Sequence, residues 1–303
     1  MSSNIIPIFL KEKLILQYGE QVAMSIIDGY SKNRYTTFRI NTIKSNIYEV
    51  ENELNKKEIK YEKSKIFDLA YIIKDSNNNK IEELEVYKQG KIYVQSLSSM
   101  LPPILLEPEL NTDILDMCAA PGGKTTELAD LTNNKAHITA CEMNKIRFNK
   151  LKYNIEKQGV TSVNLMNVDA RNLDNFFSFD SILLDAPCSG SGTINLKDAN
   201  LSKYFTENLI QKTVKAQSVL LNKAINILKK DGEMIYSTCS ILQCENEEIV
   251  EKALKTGKVE IVPIESEITK SLPLLPSKIP GTICIMPNDL YEGFYVAKLR
   301  KRG

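Results

Sequence analysis

The stretch that decides the fold reads TDILDMCAAPGGKTTEL, residues 112–128. Its apolar first half is typical of a buried strand, and CAAPGGK supplies the small residues of a tight turn before a helix that starts near Gly122. In open α/β sheets, ligands bind at the carboxyl ends of the strands, where the following helix presents free N–H groups. The stretch therefore predicts a first strand, a ligand-binding loop and a first helix.

The same pattern recurs further along the chain. AHITACE, SVNLMNVDA, FDSILLDAP and EMIYSTCS predict four more strands, with helices at residues 145–158 and 206–230. Apolar strands that alternate with amphipathic helices indicate a doubly wound, mostly parallel sheet. Three short runs, VEIVPI, GTICIM and GFYVAKL, are expected to add an antiparallel edge. The predicted fold class is α/β, with a Rossmann-like sheet.

The first hundred residues have a different organisation. Apolar residues recur at helical spacing in residues 7–31 and 46–59, and TTFRINTIK, AYIIKD and KIYVQS are strand-like. The segment MLPPILLEPELN, residues 100–111, contains three prolines and predicts a junction. We therefore expect a smaller α+β domain at residues 1–100 and the Rossmann-like domain at residues 101–303.

Composition sets the class of protein. The 303 residues are 43% hydrophobic and 25% charged, with a net charge of +1, which is ordinary for a soluble globular protein. No apolar stretch approaches the ~18 residues of a membrane span, and the N-terminus does not read as a secretory signal. We expect a cytoplasmic protein with no membrane partner, and a monomer is the default expectation. The near-neutral charge does not itself indicate a nucleic-acid partner.

The counts of histidine and cysteine restrict the chemistry. The only histidine, His137, lies in an apolar run and is expected to be structural, which argues against a Ser-His-Asp hydrolase. The six cysteines show neither a CxxC pair nor the His/Cys spacing of a zinc site. No metal is therefore expected.

Four of the predicted strands end in acidic residues. These are Asp116, Glu142, Asp169 and Asp185, and Glu142 lies nineteen residues after Gly123. Folds of this kind place a ribose-binding carboxylate at that distance. A single acid at the end of a strand is more often a helix cap or a solvated side chain, but four together favour the binding of a nucleoside cofactor.

Two cysteines follow the fourth and fifth predicted strands, beside Asp185. A thiolate that adds to C6 of a pyrimidine makes C5 nucleophilic, so that C5 can take the sulfonium methyl group of S-adenosylmethionine. Cys188 and Cys239 are the candidates, and the residues alone leave open which one attacks. Free cysteine is also a common buried apolar residue, which is the expectation for the other four: Cys118, Cys141, Cys244 and Cys284.

The motifs DMCAAPGGKTTELA, CEMNKIR, NVDA, DAPCSGSGT and YSTCSI resemble, in order and spacing, those of the RsmB/Nop2/Sun family of RNA cytosine-C5 methyltransferases. The likeness extends upstream to FRINTIK and KIYVQSLSSMLPP and downstream to EGFYVAKLRK, so it covers most of the chain. It implies S-adenosylmethionine as the cofactor and methylation of C5 of a cytosine in rRNA or tRNA. The implied reaction passes through a covalent bond between a cysteine and C6.

The resemblance also implies roles for individual residues at the reaction centre. Cys239 would be the nucleophile, and Cys188 would assist release of the methylated base. Asp185 would face the methionine amino group and the target base, and Lys124 would reach into the active site. DNA cytosine-C5 methyltransferases instead use the Pro-Cys cysteine, which here is Cys188. The additional TCS motif is what favours Cys239.

For the cofactor, the resemblance implies that Glu142 holds the ribose hydroxyls, that Asp169 lies by the adenine, and that Arg147 supports this site. The loop around the methionine part would comprise Cys118, Ala119, Ala120, Pro121, Gly122, Gly123 and Lys124.

The front domain is expected to dock the RNA. Arg39, Asn41 and the lysines of residues 56–65 are the candidates for RNA contacts, with an interdomain ion pair as an equal alternative for Arg39. Two other functions compete: an RNA-binding assembly factor that has lost activity, and a methyltransferase for a small molecule or DNA. The intact motifs argue against the first, and the front segments shared with RNA enzymes weaken the second. Which RNA is modified stays open.

Overall fold

The computed structural model describes residues 6–74, 80–265 and 267–303, which form two sheets. Residue 75, the last of the predicted strand AYIIKD, and the N-terminal residues 1–5 lie outside the described residues. Within the described ranges, no helix has the length and apolarity needed to cross a membrane. In the same ranges, no group of three His, Cys, Asp or Glu side chains is placed to hold a metal ion.

The smaller sheet is antiparallel and has the strand order β2-β3-β1-β4. Its strands are β1 (Thr37–Ile40), β2 (Tyr61–Lys63), β3 (Ala70–Ile73) and β4 (Ile92–Val94). The helices of this front region are α1 (Ile8–Tyr18), α2 (Glu20–Ser31), α3 (Ile47–Lys56), α4 (Lys80–Glu83) and α5 (Glu85–Lys88). Val50 and Leu54 of α3 pack with Phe38 and Tyr71 of the sheet in a separate apolar core. The strands expected in this region are confirmed.

The larger sheet has nine strands in the order β11-β12-β13-β9-β8-β5-β6-β7, and β10 also pairs with β13. The strands are β5 (Asp113–Asp116), β6 (His137–Cys141), β7 (Val163–Met166), β8 (Phe179–Asp185), β9 (Leu228–Thr238), β10 (Val259–Val262), β11 (Leu274–Leu275), β12 (Ile283–Ile285) and β13 (Phe294–Lys301). Strands β5 to β9 are parallel, and β13 joins β9 antiparallel. Both the doubly wound class and the antiparallel edge are confirmed.

Helices cover both faces of this sheet. They are α6 (Leu97–Leu106), α7 (Gly123–Leu131), α8 (Lys145–Lys157), α9 (Leu201–Tyr204), α10 (Glu207–Ile227), α11 (Glu247–Leu254) and α12 (Glu267–Lys270). Successive side chains of a strand point to opposite faces. Accordingly, Ile182 and Leu184 pack with α10 and α11, whereas Leu183 packs with α6, α7 and α8. The continuous apolar runs of the sequence reflect this burial on both faces.

The proline-containing segment at residues 100–111, predicted to be a junction, is helical as far as Leu106. Helix α6 begins after Ser96, whose hydroxyl caps it, and includes Pro102 and Pro103. A proline removes the N–H that would bond four residues back. The carbonyl of Ser99, freed by Pro103, instead accepts a hydrogen bond of 3.0 Å from Gln95 Nε2. The helix therefore continues across the expected boundary, and the division of the chain at residue 100 stays a prediction.

Two element ends also differ from the sequence prediction. The long helix ends at Ile227, not at residue 230, because the chain enters β9 at once: Leu228 pairs with Phe179, and Glu233 pairs with Ser181. The residues between them, which include Asp231 and Gly232, form an irregularity in the strand. Strand β7 ends at Met166, so the expectation that Asp169 ends this strand is wrong.

Helices α1 and α2 contribute to the core of the large sheet, since Leu10, Leu14 and Ile26 belong to the same apolar cluster as Leu184. The end of α1 also contacts the segment after Thr238, because Gln17 Nε2 and the Tyr18 hydroxyl each donate to the carbonyl of Ile241 at 2.7 Å. Part of the front region thus fixes a loop of the large sheet.

Candidate active site

The site lies where the strand order reverses. The chain runs from β5 through β6 to β7 on one side, and then returns to place β8 and β9 on the other side of β5. At the carboxyl ends of these strands lies a cavity of about 390 Å³, within the range of about 300–1,000 Å³ typical of small-molecule sites. Eight of the predicted site residues line it: Cys118, Ala120, Glu142, Arg147, Asp169, Asp185, Cys188 and Cys239.

The loop between β5 and α7 is shaped from beneath by Asp116. Its carboxylate accepts the Thr125 hydroxyl at 2.7 Å and the backbone N–H of Cys118 at 3.4 Å. Burial raises the pKa of Asp116 to about 6. Asp116 therefore supports the loop from below, unlike the other three strand-end acids, which face the cavity. Gly122 has φ +113°, a conformation that favours glycine, and it caps α7.

The other loop residues border a second cavity of about 310 Å³ on the side of the front sheet. Its predicted residues are Ala119, Pro121, Gly123 and Lys124, together with Cys118, Ala120 and Asp185, which border both cavities. Tyr93 and Gln95, next to α6, line its opposite wall. The loop thus separates two spaces that share Asp185.

Glu142 follows β6 and is buried at the cavity wall. Its Oε1 accepts the backbone N–H of Asn144 at 2.7 Å, and its Oε2 lies 3.5 Å from Arg147 Nη1. Arg147 Nη2 donates to the carbonyl of Ala120 at 2.7 Å, which ties α8 to the loop. The two residues expected on the cofactor side are therefore adjacent.

Asp169 lies three residues beyond β7, where it caps a short 3-10 turn, Ala170–Asn172. Its carboxylate accepts hydrogen bonds from Arg171 Nε at 2.9 Å and Arg171 Nη2 at 2.5 Å. The hydrogen bonds from Arg171 lower the pKa of Asp169 below its usual value. Arg171 also lines the cavity, and the sequence analysis missed it.

Lys124 reaches across the loop to Asp185, as expected. Its Nζ lies 2.8 Å from Asp185 Oδ2 and donates to Ser99 Oγ at 2.7 Å. Burial on its own would lower the pKa of Lys124, but the carboxylate of Asp185 outweighs that effect and the pKa is raised. The hydroxyl of Ser237 donates to the other oxygen of Asp185 at 2.8 Å. A fixed cation–carboxylate pair thus lies beside the cysteines.

Cys188 and Cys239 are brought together by the loops after β8 and β9. Both are free thiols, and their sulfur atoms lie 3.1 Å apart. The hydrogen bond to Cys239, followed by burial, raises the pKa of Cys188 well above its ordinary value. The raised pKa favours the protonated form of Cys188, and either sulfur can be the donor in this contact.

The candidate RNA contacts of the front domain differ in their exposure to solvent. Arg39 is fully buried: its Nη2 donates to Thr126 Oγ1 at 2.7 Å, and its guanidinium lies 3.8 Å from Glu127 and 3.5 Å from Asp130. Asn41 is buried as well and donates to two backbone carbonyls. The expected RNA contacts of Arg39 and Asn41 are therefore wrong, and the interdomain ion pair is the correct alternative. The lysines of residues 56–65 are exposed.

His137, expected to be structural, begins β6 and is exposed. Its side chain is 76% exposed and lies at the amino end of β6, 3.5 Å from Asp113. The catalytic candidates are at the carboxyl ends of the strands, so His137 takes no part in their chemistry.

The cavity provides groups that suit S-adenosylmethionine. Met143 and Val168 give it apolar wall between Glu142 and Asp169, which suits a nucleoside base. The carboxylate of Glu142 can accept the hydroxyl groups of a ribose. At Gly122 an added Cβ would lie 3.2 Å from Leu151 Cδ1, so the close packing of the loop on α8 depends on this glycine.

Fold and cavity together define a class I methyltransferase, whose cofactor is S-adenosylmethionine. The family described as 16S rRNA methyltransferase RsmB/F matches residues 103–300 of the chain. The chain therefore belongs to the RsmB/F methyltransferase family, which confirms the resemblance seen in the sequence.

Individual relatives agree with this assignment. The chain is 33% identical over 278 residues to the ribosomal RNA small subunit methyltransferase F of Shewanella loihica, a match that covers 88% of this chain and 56% of that protein. It is 32% identical over 278 residues to the tRNA (cytosine(49)-C(5))-methyltransferase of Pyrococcus abyssi, covering 88% of both. A solved structure of a methyltransferase homologue from Pyrococcus horikoshii is 30% identical, with a TM-score of 0.85 over 98% of this chain and 96% of that one. The chain thus spans about half the length of the Shewanella relative and most of the archaeal ones.

Proposed function

We propose that this protein transfers the methyl group of S-adenosylmethionine to C5 of a cytosine in rRNA or tRNA, through a covalent bond between Cys239 and C6 of the base. The observation that carries the proposal is the thiol pair, 3.1 Å apart, at the edge of the cofactor cavity. Two free thiols and a Lys–Asp pair at one strand edge suit activation of a pyrimidine ring. Relatives named for rRNA and for tRNA methylation support RNA as the substrate class.

The cofactor, when bound, supplies an electrophilic methyl group on a sulfonium centre. The chain supplies the nucleophile and its surroundings. The thiolate of Cys239 adds to C6, which gives C5 enamine character and lets it take the methyl group. Loss of the C5 proton then restores the C5–C6 double bond as the bond between sulfur and C6 breaks.

Cys188 assists the second half of this reaction, the release of the methylated base. In this proposal Cys188, whose pKa is raised, keeps its proton, and its S–H group donates to the sulfur of Cys239, 3.1 Å away. That hydrogen bond stabilises the thiolate that leaves C6 when the product is released. Asp185 borders both cavities and Lys124 borders the second. In this proposal the pair, 2.8 Å apart, holds the polar edge of the base. In this arrangement Glu142, Arg147 and the loop at 118–124 bind the cofactor, and Asp169 lies by the adenine.

The exposed lysines of residues 56–65 are the remaining candidates for phosphate contacts of the front domain. Lys56, Lys57, Lys60, Lys63 and Lys65 are all exposed, and Lys63 pairs with Glu51 at 2.9 Å. Contacts of this kind would make RNA affinity fall steeply with salt.

The test compares Cys188→Ala and Cys239→Ala, incubated with S-adenosylmethionine and cellular RNA and then separated on a denaturing gel. We expect Cys188→Ala to accumulate a denaturation-resistant RNA adduct and Cys239→Ala to form none. Cys244→Ala, a change outside the cavity, is the matched control and should behave as the wild type. Adduct formation by Cys239→Ala with its loss in Cys188→Ala would reverse the two roles. Sequencing the trapped RNA identifies the target as rRNA or tRNA.

A further inference from the structure

Glu245 is a fully buried carboxylate beneath the two cysteine loops. It ends the short 3-10 turn Gln243–Glu245 that follows the Cys239 loop, and it has no exposed surface. Its two oxygens have five hydrogen-bond partners: Ser189 N at 2.8 Å, Ser189 Oγ at 2.6 Å, Thr213 Oγ1 at 2.6 Å, Gln217 Nε2 at 3.3 Å and Ser240 Oγ at 2.6 Å. The sequence analysis did not single it out.

The partners of Glu245 connect the elements that carry the thiols. Ser189 directly follows Cys188, and Ser240 directly follows Cys239. Thr213 and Gln217 lie on α10, so the carboxylate also fixes both loops against a long helix. One side chain thus hydrogen-bonds both loops that carry the thiols.

The charge of Glu245 is not neutralised by a cation. Within the described part of the chain, its partners are hydroxyl, amide and backbone N–H groups, and no Lys, Arg or His forms an ion pair with it. A buried carboxylate without a cation is costly, even when hydrogen-bonded. A neutral side chain could hydrogen-bond both loops at a lower desolvation cost. The negative charge therefore needs a physical reason beyond the attachment of the loops.

We propose that Glu245 is a positioning residue for the methyl transfer: it holds the two cysteine loops together, and its charge keeps the proton on Cys188, so that Cys239 is the sulfur that attacks. The proposal rests on the proposed function. The electrostatic part of the proposal does not depend on the proposed function, because it concerns only the protonation of the thiol pair.

The surroundings of Cys188 are consistent with this role. The groups that face its thiol are Cys239, Glu245, Asp185 on the shared cavity wall, and the buried Tyr236, whose hydroxyl donates to the backbone carbonyl of Glu245 at 2.6 Å. The pKa of Cys188 is raised by the hydrogen bond to Cys239, by burial and by the negative charges of Cys239 and Glu245. Of these contributions, the charge of Glu245 is the one that a substitution outside the thiol pair can remove.

The experiment measures how fast iodoacetamide modifies Cys188 as a function of pH, read by mass spectrometry of its peptide, in the Cys239→Ser background. We expect Glu245→Gln to shift the midpoint of alkylation to lower pH by about one unit. Glu245→Asp keeps the charge and should leave the midpoint in place. Glu247→Gln is the matched control, because Glu247 is equally buried but accepts the Ser277 hydroxyl, at 3.3 Å, and not the cysteine loops.

Kinetics with both cysteines present test the consequence. Glu245→Gln should lower kcat for methyl transfer by about tenfold or more, with KM for S-adenosylmethionine changed by less than about threefold, since the cofactor walls are untouched. An unchanged alkylation midpoint in Glu245→Gln, or an equal shift in Glu247→Gln, would overturn the proposal. If Glu245→Gln does not fold, a shift of the Cys188 alkylation midpoint in Glu245→Asp would overturn the proposal instead. Because alkylation needs no RNA, absence of any methyl transfer would refute the proposed function without affecting this result.

Discussion

Replacement of Arg39 by methionine tests the buried contact between the front domain and α7. The guanidinium is 1% exposed and lies within 3.8 Å of Glu127 and 3.5 Å of Asp130. Removing one partner of a buried ion pair costs about 3–5 kcal/mol. Since unfolding entropy is about 2.1 cal/mol/K per residue, a chain of 303 residues should lose about 5–8 °C in Tm.

The loss should depend on pH. Burial raises the pKa of Glu127 to about 8, although Arg39 lowers it. A carboxyl group whose folded pKa lies above its unfolded value stabilises the fold at low pH, and that contribution is lost as pH rises through the folded pKa. Without Arg39 the folded pKa of Glu127 rises further. The gap in Tm between wild type and Arg39→Met should therefore be larger at pH 9 than at pH 6.

Thermal unfolding followed by circular dichroism at both pH values provides the measurement. The double variant Arg39→Met/Glu127→Gln removes the charge left behind, so its gap should not widen above pH 7. A gap that is equal at pH 6 and pH 9 would refute the ion-pair argument. A variant with unchanged Tm and lost RNA binding would instead restore Arg39 as an RNA contact.

Three further predictions concern the site. Glu142→Gln should weaken S-adenosylmethionine binding by about tenfold in calorimetry, the equivalent of ~1.4 kcal/mol. The control Glu156→Gln, at an exposed position, should not weaken it, and equal affinities of Glu142→Gln and wild type would remove Glu142 from the cofactor site. Lys124→Met should lower the rate of methyl transfer at saturating cofactor by more than about tenfold, as expected when a fixed cation is lost from a reaction centre. A full rate would argue against its contact with the base. Because the folded pKa of Asp116 is raised to about 6, the wild type should lose part of its free energy of unfolding as the pH rises from about 4 to about 6, and Asp116→Asn should abolish that part of the loss. Denaturant titrations across this range provide the measurement, and an unchanged pH profile in the variant would contradict the prediction.

Much of the fold could be predicted because its signals are local. The parallel strands are buried on both faces, so each reads as a continuous apolar run followed by small or acidic residues. The loop at 118–124 and the acids at 142 and 185 lie at those strand ends, whereas Asp169 lies three residues beyond β7. The motif order gave the family, and with it the two cysteines and Lys124.

Other features depend on contacts between distant segments. Pro102 and Pro103 suggested a junction, but the packing of α6 on the large sheet and the donor from Gln95 keep the segment helical. The sequence does not show whether Arg39 lies on the surface or in the core. It therefore left open whether this arginine binds RNA or pairs with a buried acid. Its burial against Glu127 decided the question.

The sequence by itself determined the class of fold, the family and the chemical groups at the strand ends, because each of these depends on residue type and local spacing. Only the tertiary structure decided how those groups are used. It placed Cys188 and Cys239 3.1 Å apart although they are 51 residues apart in the chain. It also placed the carboxylate of Glu245 beneath both loops, where hydrogen bonds and charge act through distances that no sequence pattern encodes.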